Sequence, residues 1–413
     1  MKIAHFPATL AACLLLARAA TAAPVPADAG PLVLRDGDRI AFVGNAFVER
    51  EQDDCYLETL LVTRFPHANI VFRNLGWSGD TVTGEARAMF GTPREGFDRL
   101  KKEIDDLKPN VVLVSYGLSE SFGGDAKLPQ FLADLRKMLD MLAAHGATGD
   151  RMVLISPVRH EDLGKPWPDP AGHNRQLKLY VDAMQKLAAE RRNRFVDLYG
   201  GLPQHGLTDD GIHLTPYGYW RAALAIEAAM GYGPRRWQVE IDARDQKGSS
   251  AQGTKITEVT AHADGVTFTA ADETLPAPPA PRHDHANAED PPANRILRVS
   301  GLPAPAGKYA LKAASQVLAT AAAGDWDKGV DIPPGAAADQ VEKLRRVVIA
   351  KNEDFFNHWR PENDTYLFGF RKHEQGKNAA EIPQFEPLVS AKELEIARLR
   401  VPSPVTYTLV KAD

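Results

Sequence analysis

Asp210 and His213 are the two side chains in this sequence whose types and spacing are best suited to chemistry. An imidazole can take a proton from an attacking hydroxyl group or water, and a carboxylate held against it fixes the tautomer that this step requires. Because they are only three residues apart, the two side chains can meet on one short turn. The pair predicts general-base chemistry, although an isolated Asp-x-x-His pair is more often a surface hydrogen bond.

Three earlier blocks of small and polar residues complete the set. They are Gly44-Asn45-Ala46-Phe47, Asn74 to Thr81 with Ser78-Gly79-Asp80 at its centre, and Tyr116-Gly117-Leu118-Ser119-Glu120-Ser121. Each block directly follows an apolar run of strand length. In an open parallel sheet, ligands bind beyond the carboxyl ends of the strands. We therefore expect these blocks and Asp210/His213 to converge at one edge of a sheet.

The elements that must position these residues are strands and helices in alternation. Apolar runs predict five strands: Ile40 to Val43, Ile70 to Arg73, Val111 to Ser115, Met152 to Ser156 and Arg194 to Leu198. Apolar residues at helical spacing lie between them, as in Phe131, Leu135, Met138, Leu139 and Leu142. Nearly unbroken apolar strands are typical of a parallel sheet that is covered on both faces.

The blocks resemble those of the SGNH (GDSL-type) hydrolases over about Arg35 to Gly233. That family has Gly-Asp-Ser, Ser-Gly-Asp-Thr, Gly-x-Asn-Asp and Asp-x-x-His at the corresponding places. The resemblance implies a three-layer α/β/α fold with a five-stranded, flavodoxin-like parallel sheet. It also implies that Gly79 is a backbone donor of the oxyanion hole, that His213 is the general base, and that Asp210 orients it. The Gly-Asn-x-Phe opening is similar to exported proteins of planctomycete-type bacteria within this family.

Two side chains depart from the family pattern. Ala46 stands where the family has its serine nucleophile, and Ser119 stands where it has the asparagine of the oxyanion hole. Alanine cannot attack a carbonyl group, so three alternatives stay open. In the first, His213 activates water directly, or another side chain replaces the nucleophile, with Ser119 preferred over Ser78 and Ser121. In the second, the site has become a binding pocket. In the third, the C-terminal segment contributes residues to the site, namely Arg371, His373 and Glu374.

Six further residues are predicted to line the pocket: Asn45, Ser78, Asp80, Gly117, Glu120 and His160. Plainer interpretations compete with two of these assignments. Asn45 could simply hold its turn as an Asx motif. His160 belongs to the run Arg159 to Asp162, which could equally be a solvated loop or a helix cap.

The resemblance implies hydrolysis of an ester, with an acyl group on a carbohydrate as substrate. The alternatives are a non-catalytic carbohydrate- or ligand-binding module and a structural partner of larger envelope assemblies. We expect no cofactor and no metal, and we interpret His283-Asp284-His285 as solvated. A net charge of −5 without a clustered basic face argues against nucleic acid as a partner. The sequence makes no prediction of the oligomeric state.

The second half of the chain has a different composition. Residues 234–322 contain short alternating segments and predict a small, antiparallel β-rich domain, interrupted by a flexible Pro- and Ala-rich loop at 275–294. Residues 323–413 predict a helical, aromatic-rich segment that packs on the first domain (23–233), with a strand-like stretch from Tyr366 to Phe370.

Residues 1–22 resemble a signal peptide. Lys2 supplies the positive start, Ala8 to Ala17 the apolar stretch, and Ala20-Thr21-Ala22 the cleavage site. We expect export to the periplasm or the outside of the cell, without a transmembrane segment. Cys13 lies within the apolar stretch, so we do not expect a lipoprotein. With the leader removed, Cys55 is the one remaining thiol.

Overall fold

The computed structural model describes residues 30–245, 247–282 and 294–412. The predicted signal peptide with Cys13, and His283-Asp284-His285 with most of the Pro- and Ala-rich loop, lie outside these ranges. Within the described residues, no helix is long and apolar enough to span a membrane.

A five-stranded parallel sheet organises the first domain. Its strands are β1 (Arg39–Gly44), β2 (Val71–Gly76), β3 (Val111–Ser115), β4 (Met152–Ile155) and β5 (Arg194–Val196). They lie in the order β2-β1-β3-β4-β5, and every neighbouring pair is parallel. The predicted fold class is therefore confirmed. The strand order reverses between β1 and β3, so their carboxyl ends flank the place where a ligand is expected.

Helices cover both faces of this sheet. They are α1 (Ala46–Asp54), α2 (Tyr56–Arg64), α3 (Pro93–Leu107), α4 (Leu118–Ser121), α5 (Leu128–Leu142), α6 (Ala171–Arg191), α7 (Leu198–Gly201) and α8 (Pro216–Ala229). Alternate residues of β1 enter different cores. Ile40 and Phe42 pack with residues of α2 and α8, whereas Ala41 and Val43 pack with residues of α3 and α5. This explains the unbroken apolar run of the strand, because both of its faces are buried.

The β-rich domain consists of two sheets that share one core. Its strands are β6 (Trp237–Asp242), β7 (Lys247–Gln252), β8 (Thr254–His262), β9 (Gly265–Asp272), β10 (Arg295–Ser300), β11 (Lys308–Ala313), β12 (Gln316–Ala322), β13 (Val330–Asp331) and β14 (Val405–Lys411). The sheet orders are β13-β10-β6-β7 and β12-β11-β14-β9-β8, and Phe268, Tyr309 and Trp326 are buried between the sheets.

Two expectations for this domain need correction. The strands are not all antiparallel, because β6 and β10 pair in parallel. The domain also does not end at residue 322. Strand β14 comes from the end of the chain and pairs with β9 on one side and β11 on the other. Its alternation places Tyr407 and Leu409 in the shared core, which the predicted division at 322/323 overlooked.

The helices of the C-terminal segment are α9 (Ala323–Lys328), α10 (Ala336–Trp359), α11 (Asp364–Leu367), α12 (Lys372–Gln375) and α13 (Phe385–Leu399). Helix α10 packs against α13 and against α2 of the first domain. A buried ion pair fixes the second contact, with Lys351 Nζ 2.8 Å from Glu58 Oε1. The expected strand from Tyr366 to Phe370 is wrong, since α11 occupies its beginning and Phe370 is exposed.

Candidate active site

Asp210 and His213 form the predicted pair. The distance from His213 Nδ1 to Asp210 Oδ2 is 2.6 Å, and Asp210 Oδ1 accepts hydrogen bonds from the backbone amides of Ile212 at 3.0 Å and His213 at 2.8 Å. Partial burial opposes ionisation of Asp210, but these hydrogen bonds outweigh it and lower its pKa to about 2. An ionised carboxylate can only accept, so the imidazole proton lies on Nδ1. His213 Nε2 is left with a lone pair and has no hydrogen-bond partner among the described residues.

Glu161 holds the loop that carries this pair. Its buried carboxylate accepts hydrogen bonds from the backbone amides of Gly206, Leu207 (3.1 Å) and Thr208 (2.9 Å), and from the Thr208 hydroxyl group at 2.6 Å. The Thr208 hydroxyl group in turn accepts from the amide of Gly211 at 3.2 Å. Sequence reasoning placed Glu161 only in a run near the pocket. An acidic side chain in the loop after β4 was the one feature of the sequence that pointed to this residue.

The loop after β1 begins helix α1. Asn45 is the N-cap, and its Oδ1 accepts from the amide of Phe47 at 3.2 Å, so the Asx interpretation applies. Ala46 is the first residue of the helix, and its amide forms no hydrogen bond among the described residues. A cavity of about 20 Å³ adjoins this turn and is also lined by Leu118 and Ile212. The loops after β1 and β3 and the Asp210–His213 loop thus meet, as expected.

The loop after β2 packs against the first turns of α1. The amide of Trp77 donates to Gly44 O at 3.0 Å, and the amide of Ser78 donates to Glu49 Oε2 at 2.6 Å. Gly79 is exposed with a φ of +76°, and its amide has no partner among the residues described. Arg360 of the tail lies 3.6 Å over the Trp77 ring and pairs with Glu49. No local pattern predicts this contact, because Arg360 is more than 280 positions away from Trp77 and Glu49 in the sequence.

Three predicted lining residues have structural positions instead. Asp80 is fully buried, with Oδ2 2.6 Å from Arg87 Nε and 3.0 Å from the Tyr116 hydroxyl group, so it supports the loop from beneath. Glu120 accepts from the amides of Val82 at 3.0 Å and Gly117 at 2.9 Å, which ties the loops after β2 and β3 together. Gly117 itself is buried.

The candidate serines differ in their surroundings. Ser78 is exposed, and Ser119 is half-buried with no hydrogen bond from its hydroxyl group to any described residue. Ser121 is buried and lies 2.8 Å from His173 Nε2, but its hydroxyl group is also 2.6 Å from Leu118 O. None of the three is paired with His213.

His160 lies directly against the Asp210–His213 loop. A Cβ atom placed on Gly211 would come 3.0 Å from His160 Nε2, and Gly211 has a φ of +93°. Both facts require glycine at this position. The structure therefore brings His160 to the site, whereas Arg371, His373 and Glu374 lie after α11, where Arg371 pairs with Glu374.

Residues 37–221 match the model of the GDSL-like lipase/acylhydrolase family. The match spans the five strands of the parallel sheet and less than half of the chain, and we call the α/β domain GDSL-like for this reason. The GDSL-like domain and the rest of the chain together resemble a gut microbial diltiazem-metabolizing enzyme, with a TM-score of 0.71 and 18% identity over 92% of this chain and 99% of that one. At this identity the likeness shows a shared fold, which includes the β-rich domain and the tail.

Two other solved structures match just under half of this chain. TesA is 20% identical over 47% of this chain and 98% of its own, with a TM-score of 0.36. A GDSL-like lipase from Bacteroides thetaiotaomicron is 19% identical over 47% of this chain and 87% of its own, with a TM-score of 0.34. No curated protein matches the chain.

Proposed function

We propose that the GDSL-like domain hydrolyses acyl esters of carbohydrates with a water molecule that His213 deprotonates. The observation that carries this proposal is the state of His213. Its Nδ1 is held 2.6 Å from the ionised Asp210, and its Nε2 keeps a lone pair without a partner among the described residues. An imidazole in this state is ready to accept a proton.

In this proposal, the attacking water molecule occupies the space beside Ala46. A methyl group there occupies less space than the CH2OH group of the family, and the missing oxygen leaves room for about one water oxygen. The amides of Ala46 and Gly79 have no partner among the described residues, and we assign to them the oxygen that becomes negatively charged when the carbonyl is attacked. Ser119, where the family has asparagine, has a shorter side chain to offer as a third donor.

The proposed reaction proceeds without a covalent intermediate. Water attacks the acyl carbon while its proton moves to His213 Nε2, and the carbonyl electrons move onto the oxygen held by the two amides. As the tetrahedral species collapses, the bond to the alcohol oxygen breaks and that oxygen takes the proton from Nε2. The products are a carboxylic acid and an alcohol, and the imidazole returns to its starting state.

A second function competes because both the nucleophile and the oxyanion-hole asparagine are absent. Ala46 and Ser119 together are what a non-catalytic carbohydrate- or ligand-binding module on the same scaffold would carry. An esterase assay separates the two. We expect the wild-type protein to release acetate from p-nitrophenyl acetate and from O-acetylated methyl glycosides, and we expect His213→Ala to lose at least about 10³-fold in kcat. Binding of the glycosides without turnover by the wild type would favour the binding module.

The Ala46→Ser variant provides the matched control for the water mechanism. It restores the hydroxyl group that the family has at this position, so we expect it to react covalently with a fluorophosphonate probe, while the wild type does not. The double variant Ala46→Ser/His213→Ala should not react. Labelling of the wild type at Ser119 or at another serine would contradict direct attack by water.

A further inference from the structure

Three side chains from distant parts of the GDSL-like domain form a hydrogen-bonded chain beside the site. We call Ser121, His173 and His160 the histidine chain. Ser121 Oγ lies 2.8 Å from His173 Nε2, and His173 Nδ1 lies 3.0 Å from His160 Nδ1. Ser121 comes from α4, His173 from α6 and His160 from the loop after β4.

Proton positions along the histidine chain follow from its buried end. The Ser121 hydroxyl group lies 2.6 Å from Leu118 O, and a carbonyl oxygen can only accept, so Ser121 donates its proton there. Ser121 must then accept from Nε2–H of His173. This leaves Nδ1 of His173 as an acceptor, and His160 donates to it from Nδ1–H. His160 Nε2 therefore carries a lone pair.

The assignment requires both rings to be neutral, and the direction of their pKa shifts favours that state. Burial lowers the pKa of His160, although the charge of Asp210 opposes the change. Burial and the neighbouring His160 lower the pKa of His173 to about 4. A doubly protonated ring could not accept a hydrogen bond at either place.

His160, the end of the histidine chain away from Ser121, is held beside the Asp210–His213 loop. Asn174 binds the backbone of His160 on both sides, with the His160 amide donating to Oδ1 at 3.0 Å and Nδ2 donating to His160 O at 2.7 Å. The ring edge that bears Nε2 packs against Gly211, between Asp210 and His213 in the sequence. Among the described residues, Nε2 has no hydrogen-bond partner, and the ring is half-buried.

We propose that His160 Nε2 accepts a hydrogen bond from a hydroxyl group of the substrate, and that the site therefore selects esters whose alcohol part carries a further free hydroxyl group. This inference rests on the proposed ester hydrolysis and adds a specificity-determining residue to it. Because His160 Nε2 carries only a lone pair, it cannot donate a hydrogen bond to a substrate atom that is itself an acceptor. The nearby ionised Asp210 also disfavours an anionic substrate, so a neutral polyol ester fits both features.

Glycerol 1-monoacetate and propyl acetate are matched probes, because they share the acetyl group and a three-carbon alcohol and differ in the hydroxyl groups. We expect His160→Phe to lower the ratio of their kcat/KM values by about 3- to 10-fold, which corresponds to one lost hydrogen bond. His160→Gln keeps an acceptor atom near Nε2 and should recover part of the ratio. His145→Phe, at the opposite end of the sheet, should leave it unchanged. An unchanged ratio in His160→Phe would overturn the proposal.

Nitrogen-15 NMR of the full chain tests the same inference without activity. At pH 7 we expect His160 to be protonated at Nδ1 only and His173 at Nε2 only, and glycerol 1-monoacetate to shift the Nε2 resonance of His160. Ser121→Ala removes the acceptor for the His173 Nε2 proton, so in this variant we expect the protons of the two rings to be no longer confined to these nitrogen atoms. A wild type that hydrolyses neither ester would refute the proposed function alone. Protonation of His160 Nε2, or the absence of a shift with the ester, would refute the recognition by His160.

Discussion

Two polar clusters lie at the same edge of the parallel sheet, and they end differently. The cluster of Asp80, Arg87 and Tyr116 is fully buried, and Arg87 Nη2 donates onward to the backbone oxygen of Leu75 at 2.7 Å. The histidine chain is partly exposed and ends at His160 Nε2, which no described residue engages. The unpartnered atoms of the first cluster, Asp80 Oδ1 and Arg87 Nη1, are buried, whereas the second cluster leaves a lone pair on a half-buried ring beside the Asp210–His213 loop.

The two clusters differ in role: the buried cluster supports the fold, and we propose that the histidine chain recognises the substrate. Burial raises the pKa of Tyr116, and the pKa of Arg87 is raised despite its burial because Tyr116 and Asp80 lie beside it. Tyr116 therefore stays neutral and Arg87 stays charged at any ordinary pH. Burial lowers the pKa values of both histidines, so the second cluster gains charge only in acid. A polar cluster near a site is a candidate for recognition only where an unpartnered atom lies on a side chain that is not fully buried.

The largest expected effect comes from breaking the buried cluster. Arg87→Met leaves the carboxylate of Asp80 buried without its counter-ion, and we expect the free energy of unfolding to fall by about 3–5 kcal/mol. Urea denaturation measures this loss. The double variant Arg87→Met/Asp80→Asn should regain part of it, because no unpaired charge remains. A loss below about 1 kcal/mol in Arg87→Met would mean that the cluster does not support the fold.

A smaller effect is expected at Glu161, which holds the loop that carries Asp210 and His213. Glu161→Gln replaces an acceptor-only carboxylate by an amide whose nitrogen cannot accept from the backbone of Gly206 to Thr208. The loop with Asp210 and His213 should loosen, and we expect kcat for p-nitrophenyl acetate to fall about 10-fold. The neighbouring, exposed Asp162→Asn is the control. Equal losses in both variants would remove the special role of Glu161.

The smallest effect concerns protonation of the histidine chain. His173 has a folded-state pKa of about 4, below the unfolded value of about 6.5, so acid favours the unfolded state. The stabilisation is complete above about pH 6.5 and is lost as the pH falls towards 4. We expect about 1 kcal/mol, since solvent screens a half-buried ring. Unfolding free energies of wild type and His173→Phe across this range measure the difference, and parallel curves would contradict it.

The sequence was sufficient to predict the sheet and the contact between Asp210 and His213. The strands of the first domain are buried on both faces, so their apolar runs are unbroken and mark their positions within a few residues. Asp210 and His213 interact within one turn, and their spacing alone predicts the contact.

The features that the sequence could not predict are contacts between residues far apart in the chain. His173 meets Ser121 across 52 positions, and Arg360 meets Glu49 across 311, so neither pairing leaves a local pattern. Asp80 belongs to a motif typical of a site but is turned inwards by Arg87. Strand β14 has a clear alternation, yet its central place in a sheet is set by partners more than 90 residues earlier.

The position of β14 also sets an order of events during synthesis. The parallel sheet has all of its strands once residue 196 has left the ribosome, and the GDSL-like domain can assemble while translation continues. The β-rich domain must wait, because β9 and β11 gain their common neighbour only when residues 405–411 emerge. Until then both strands have an unpaired edge that is open to wrong partners, and a nascent chain halted just before this point would be prone to aggregate.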